Sequence, residues 1–178
     1  MAGESKGMRS RQSVRDMVLS MLAVGLVVWV GYLFLPHDAG GDGVRTVEYK
    51  VAAASAKRAA PYPLLAPEGL SDKWRATSVK YDPASLGGGR GNAWHLGFVT
   101  PAGQYAAVEQ SDIAPGSLVG SLVADGKPDG SSEVAGRVWE RIQGGKSRAL
   151  TFQSGGGTTV LTGTASYEEL AELAQALK

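Results

Sequence analysis

Residues 17–35 read MVLSMLAVGLVVWVGYLFL, a run without a charged side chain that stops at Pro36. A hydrocarbon layer about 30 Å thick takes roughly 20 apolar residues at 1.5 Å each. The segment is therefore long enough to cross a bilayer as one helix, whereas a helix buried in a globular core is usually shorter and keeps a polar face. Ser20 is its only polar residue of note, no ionisable group falls inside it, and the spacing of Gly25 and Gly31 does not make a GxxxG pairing motif. The run reads as an anchor in the lipid bilayer with no chemistry of its own.

Charge gives the anchor a direction. Lys6, Arg9, Arg11 and Arg15 precede it against Glu4 and Asp16, while the rest of the chain carries 14 basic and 15 acidic residues. Positive flanks stay cytoplasmic, so residues 1–16 are expected inside as a tail and the C-terminal part outside. Trp29 and Tyr32 fall toward the outer end, where amphipathic rings favour the interface. The run exceeds a signal-peptide core, and Ala54-Ser55-Ala56 lies too far downstream for cleavage, so an uncleaved single-pass anchor is expected. The chain has no cysteine, which excludes a disulfide framework and a lipid-modified cysteine. Near-neutral charge beyond the anchor argues against nucleic acid as a partner.

Residues 36–43, PHDAGGDG, make a short polar linker, and 44–178 are sized for one domain. With 25 glycines in the chain, short strands and turns are favoured over an all-helical fold. A brief strand is expected at 44–49 and an Ala-rich helix over 51–60. The prolines of 61–67 then force an extended strap. Strand 74–81 follows a turn at 68–72, and Trp94, Leu96 and Phe98 mark one face of a hairpin over 93–110 that turns at Thr100-Pro101-Ala102-Gly103. Residues 111–130 read as a helical turn or irregular loop, and 132–142 as one strand. A second hairpin pairs 148–153 with 158–164 around Ser154-Gly155-Gly156-Gly157. Ser166 and Glu169 form a capping box for a final helix whose Leu170, Leu173, Ala174 and Leu177 share one face. The expected class is α+β: an N-terminal transmembrane helix, then an extracytoplasmic antiparallel sheet packed by the C-terminal helix.

The anchor, the stretches PYPLLAPEGLSDKWRATSV, WHLGFVTPAGQYAAVEQS and VAGRVWER, and the terminal TTVLTGTASYEELAELAQAL together resemble an uncharacterised actinobacterial family of single-pass membrane proteins, a domain-of-unknown-function family. The resemblance covers nearly the whole chain. It implies an anchored extracytoplasmic domain and brings no activity, ligand or catalytic residue.

Chemistry-bearing residues are sparse. Gly145-Lys146-Ser147 has the end of a phosphate loop, but its first glycine would have to be Glu140, so a hairpin turn is the better reading. The glycines of 87–91 lack a strand–helix frame. Only His37 and His95 are present, which leaves no metal centre and no implied cofactor. A Ser-His-acid arrangement around His95 would need a nucleophile turn that is not visible, so a surface or paired structural histidine is expected. Glu109, Glu133 and Glu140 offer carboxylates with no sign of convergence. Trp74, Trp94 and Trp139, with His95, are candidates for an interaction surface, although aromatic residues in a small domain are more often core. Arg75 and Arg141 are read as covering neighbouring tryptophans with their alkyl stems. The functional expectation is a membrane-anchored binding or scaffolding module of the cell envelope, with an envelope protein or glycan as partner. Its rivals are a hydrolase using His95 or a carboxylate pair, and a sensor or accessory subunit of a membrane complex.

Overall fold

In a computed structural model, the described backbone comprises residues 7–34, 45–84 and 91–178, with side chains for 16–29 in the first stretch. The expected linker 36–43 with His37, and the glycines at 87–89, lie outside the described residues. The chain divides into two compact units, Met1–Gly43 and Val44–Lys178.

The described residues of the first unit form helix α1 (Gly7–Phe34), which starts within the expected tail. Ser20 keeps its hydroxyl inside the helix by donating to the Met17 carbonyl at 2.9 Å. The large apolar side chains from Met17 to Trp29 are 48–75% exposed, and at 100° per residue their run covers every side of the helix. Among the described residues no helix is long and apolar enough to cross a membrane. Residues 30–35 of the expected span lie outside the described side chains.

The second unit is α+β. Its elements are α2 (Lys50–Ala59), β1 (Arg75–Asp82), β2 (Ala93–Val99), β3 (Tyr105–Ser111), α3 (Pro115–Leu122), β4 (Lys127–Val134), β5 (Arg137–Gly144), β6 (Ser147–Ser154), β7 (Gly157–Gly163) and α4 (Tyr167–Ala176). The strands form one antiparallel sheet in the order β1-β2-β3-β7-β6-β5-β4. A three-strand meander is followed by a crossover through α3 to the far edge, and a four-strand meander returns until β7 pairs with β3.

Three expectations need correction. Residues 45–49 form no strand: Val47 donates one bond to the Ala76 carbonyl, and Tyr49 already has helical φ and ψ, so entry into α2 ends the run. Residues 111–130 hold α3, in line with the helical alternative, but their last part is the start of β4 and not loop. The single strand expected at 132–142 is two, because the chain reverses at Ala135-Gly136, both with positive φ (53° and 70°). Two-residue hairpins of this kind usually carry Asn-Gly or Asp-Gly, and alanine concealed the turn.

One face of the sheet, bearing Trp94, Leu96, Phe98, Val108, Leu150 and Leu161, packs against α2, α4 and the strap. The capping box at Ser166 and Glu169 is formed in both directions, and Leu170 and Leu173 are fully buried. Tyr62 of the strap lies across Gly157, where a methyl group would come within 2.9 Å of the ring. The Tyr62 hydroxyl sits 3.1 Å from the Gln110 carbonyl, and Gln110 itself accepts from Leu65 N–H and donates to Thr159. On the opposite face, Leu118 and Val123 cover Ile142, Ala149 and Val160. The β1–β3 half of that face carries Ser78, Lys80, His95, Gly97, Tyr105 and Glu109, as the registers require.

Candidate functional site

Two features of the second unit have the makings of a site. The first is an open cleft of about 930 Å³ between the start of α2, the turn 66–72 and the head of β1. Tyr49, Trp74 and Phe98 form its aromatic floor, both outer rings meeting Phe98 edge-on at 5.7 and 6.0 Å between centroids. The Tyr49 hydroxyl donates to the Pro67 carbonyl, and the Trp74 indole N–H donates to Glu172 on α4, so both rings are fixed from two sides. Burial, then the charges of Glu48 and Glu68, push the Tyr49 phenol above its ordinary pKa, so it remains a hydroxyl. Exposed Glu48, Lys50, Glu68 and Asp72 stand on the rim.

The second feature crosses three strands. His95 Nδ1 lies 2.6 Å from Glu109 Oε1 and Nε2 lies 2.7 Å from Ser78 Oγ. The β2–β3 register places His95 opposite Glu109, whereas Ser78 reaches its position after a β-bulge between Ala76 and Ser78. The hydrogen bond that His95 donates to Glu109 raises its pKa above the ordinary 6.5, opposed by burial and by Lys80. When His95 is neutral, these partners place its proton on Nδ1 and leave Nε2 to accept from Ser78. His95 and Glu109 side chains are 31% and 17% exposed, so the row is open to solvent.

The other candidates resolve differently. Trp94 and Trp139 are 1% and 0% exposed, so both are packing residues, while Trp74, 6% exposed, shows only a sliver of its ring to the cleft. The physical reason is the alternation that puts Trp94 on the core face beside Leu96 and Phe98. The Arg141 guanidinium stacks on another ring, 3.8 Å from the Tyr167 ring centre. Glu109 and Glu140 occupy one cross-strand row through Val160 and Thr151. Three strand spacings, about 14 Å, separate them, too far for paired glycosidic catalysis. Gly145-Lys146 is the β5–β6 turn. Among the described residues no group of three or more potential metal ligands is present.

A family model described as "Protein of unknown function (DUF4245)" matches residues 9–177. The chain belongs to that family. No curated protein matches the DUF4245 chain. A solved structure of the Pseudomonas aeruginosa MucA/MucB complex matches it at 14% identity and a TM-score of 0.36, over 64% of this chain and 34% of that one. A likeness of that size carries no argument about partner or activity.

Within the DUF4245 chain, the residues that a sequence reading passes over are Ser78 and Tyr105. Once the hairpin turns at 100–103, each step back from Val99 is a step forward from Tyr105, and His95 must face Glu109. That much was available from spacing. Ser78 was not, because the bulge shifts β1 by one residue.

Proposed function

We propose that the chain is a membrane-anchored binding module of the cell envelope, with residues 17–35 in the bilayer, residues 1–16 in the cytoplasm and residues 44–178 outside, and that the cleft beside α2 receives a peptide segment of an envelope protein. The observation that carries the reading is the cleft itself: its volume suits a ligand site, its floor is aromatic and its rim carries both signs of charge. A peptide suits it better than a glycan, because Trp74 and Phe98 expose too little ring face for sugar stacking. The anchor is supported by the uncharged run at 17–35, by the exposed apolar side chains of Met17 to Trp29 and by the basic flank before them.

A photo-crosslinking residue placed at Glu68 in cells, with a control at Ser131 on β4, tests the cleft. Capture of one envelope protein from Glu68 alone is expected, and it should weaken when Asp72 and Glu48 are neutralised. Equal capture from both positions, or none from either, removes the proposal. Topology is tested by a reporter fused after Lys178, which should be active only outside the cytoplasm; activity confined to the cytoplasm overturns the envelope assignment.

A further inference from the structure

Separate from the cleft, the row on β1–β3 has the connectivity of an acyl-transfer site. We propose that Ser78 is a nucleophile activated by His95, that Glu109 positions the imidazole, and that the Tyr105 hydroxyl stabilises the oxyanion, so that the open face of the sheet hydrolyses small carboxylic esters.

Hydrolysis of this kind needs a hydroxyl, a base on its proton and an acid holding the base's second nitrogen. The distances of 2.7 Å from Ser78 Oγ to Nε2 and 2.6 Å from Nδ1 to Glu109 Oε1 supply all three in that order. The fourth group is the Tyr105 hydroxyl, over Gly97. A methyl at Gly97 would fall 2.5 Å from Ser78 Oγ and 2.9 Å from the Tyr105 hydroxyl, so both oxygens converge over a position that only glycine leaves open. Burial, then the charge of Glu109, push the Tyr105 phenol above its ordinary pKa, against a hydrogen bond with Ser78 that lowers it, which favours the hydroxyl form an oxyanion donor needs. The bulge before Ser78 turns its side chain toward His95, a common way for a strand to aim a functional residue.

The steps balance with water as the second reactant. Ser78 Oγ attacks the ester carbonyl carbon as its proton passes to His95 Nε2, and the negative charge collects on the carbonyl oxygen beside Tyr105. Collapse breaks the bond to the alcohol oxygen, which leaves with the proton from His95, and the acyl group remains on Ser78. Water then gives a proton to His95 and attacks the acyl carbon; the acid departs and Ser78 recovers its proton. His95 acts while unprotonated, and the charged and titratable groups facing it are Glu109 and Tyr105 from β3 and Lys80 from β1, the last paired with Asp82 at 2.6 Å. The rate should therefore rise with pH through the His95 pKa, which lies above 6.5.

The test is reaction of the full-length protein with a fluorophosphonate probe, the modified residue being located by mass spectrometry, together with hydrolysis of p-nitrophenyl acetate. Modification at Ser78 is expected. Both signals should vanish in Ser78→Ala and fall by about 100-fold in His95→Gln, the usual contribution of a general base. Glu109→Gln should move the midpoint of the pH profile downward, a change that a purely structural role would not produce, and Tyr105→Phe should slow hydrolysis while leaving the fold intact. Absence of probe on Ser78 in the folded wild-type protein overturns the proposal, as does undiminished labelling in a folded His95→Gln variant. The wild-type result stands without any variant, and none of these outcomes bears on the cleft.

Discussion

At the scale of single residues, the sheet's open half is organised by one polar row. His95 ties β1 to β3 through Ser78 and Glu109, so its protonation should register in stability as well as in reactivity. Its pKa is raised in the folded chain, so the stabilisation is fully present below the unfolded value near 6.5 and disappears as pH rises through the folded one. Urea denaturation of wild type and His95→Gln should accordingly show a stability gap on the order of 1 kcal/mol larger at acidic than at alkaline pH, allowing for partial exposure of the pair. A gap independent of pH would mean that the pair adds nothing charge-dependent. Gly157 makes a steric prediction of the same kind. A methyl there meets the Tyr62 ring at 2.9 Å, and the strap above cannot retreat while Tyr62 and Leu65 are held at Gln110. Gly157→Ala should cost about 1–3 kcal/mol by thermal or chemical denaturation, the usual penalty of overpacking.

At the scale of elements, the parts with strong local chemistry were legible and those set by distant contacts were not. The capping box of α4 was visible as Ser166 with Glu169, and both bonds form, so Ser166→Ala should lower stability by about 1 kcal/mol in calorimetry. The two hairpins marked by Gly103 and by Gly155-Gly156 were equally plain, since glycine supplies the positive φ their turns use. The β4–β5 hairpin was hidden because Ala135 occupies a left-handed position that alanine tolerates poorly. Ala135→Asn should relieve it and raise stability by roughly 0.5–1 kcal/mol, with Ala135→Pro as the disruptive control. Apolar pattern misled there too, for Val138 is 66% exposed beside the fully buried Trp139, and Ile142 points to the opposite core. The site followed the same division: His95 opposite Glu109 could be counted out from the turn, while Ser78 depended on a bulge and the cleft on a strap folding back onto a helix.

At the scale of the molecule, the second unit is closed where the strap meets residues 176–178. The strap leaves α2, crosses the turn before β7 and then pairs with the residues after α4: Ala66 and Lys178 exchange backbone bonds at 3.1 Å, Pro67 opposes Leu177, and Glu68 N–H donates to the Ala176 carbonyl. Lys57 of α2 donates to the Lys178 carbonyl as well, so α2, the strap and α4 meet at the last two residues. The same turn, 66–72, forms one wall of the cleft, which makes the shape of the proposed binding surface depend on this closure. Removing residues 177–178 deletes the Leu177 side chain, 4% exposed, and leaves the Ala66 amide without its partner. A loss of about 3–5 kcal/mol is expected from a leucine-sized cavity and the broken backbone bonds together. Hydrogen exchange should locate it: amides of 64–68 are expected to lose protection first, while those of β3 and β7 at the centre of the sheet exchange only with global unfolding. Uniform loss of protection across the sheet would show instead that the closure is inseparable from the core. Protection at 64–68 unchanged by the deletion would show that the strap is held by Tyr62 and Gln110 alone.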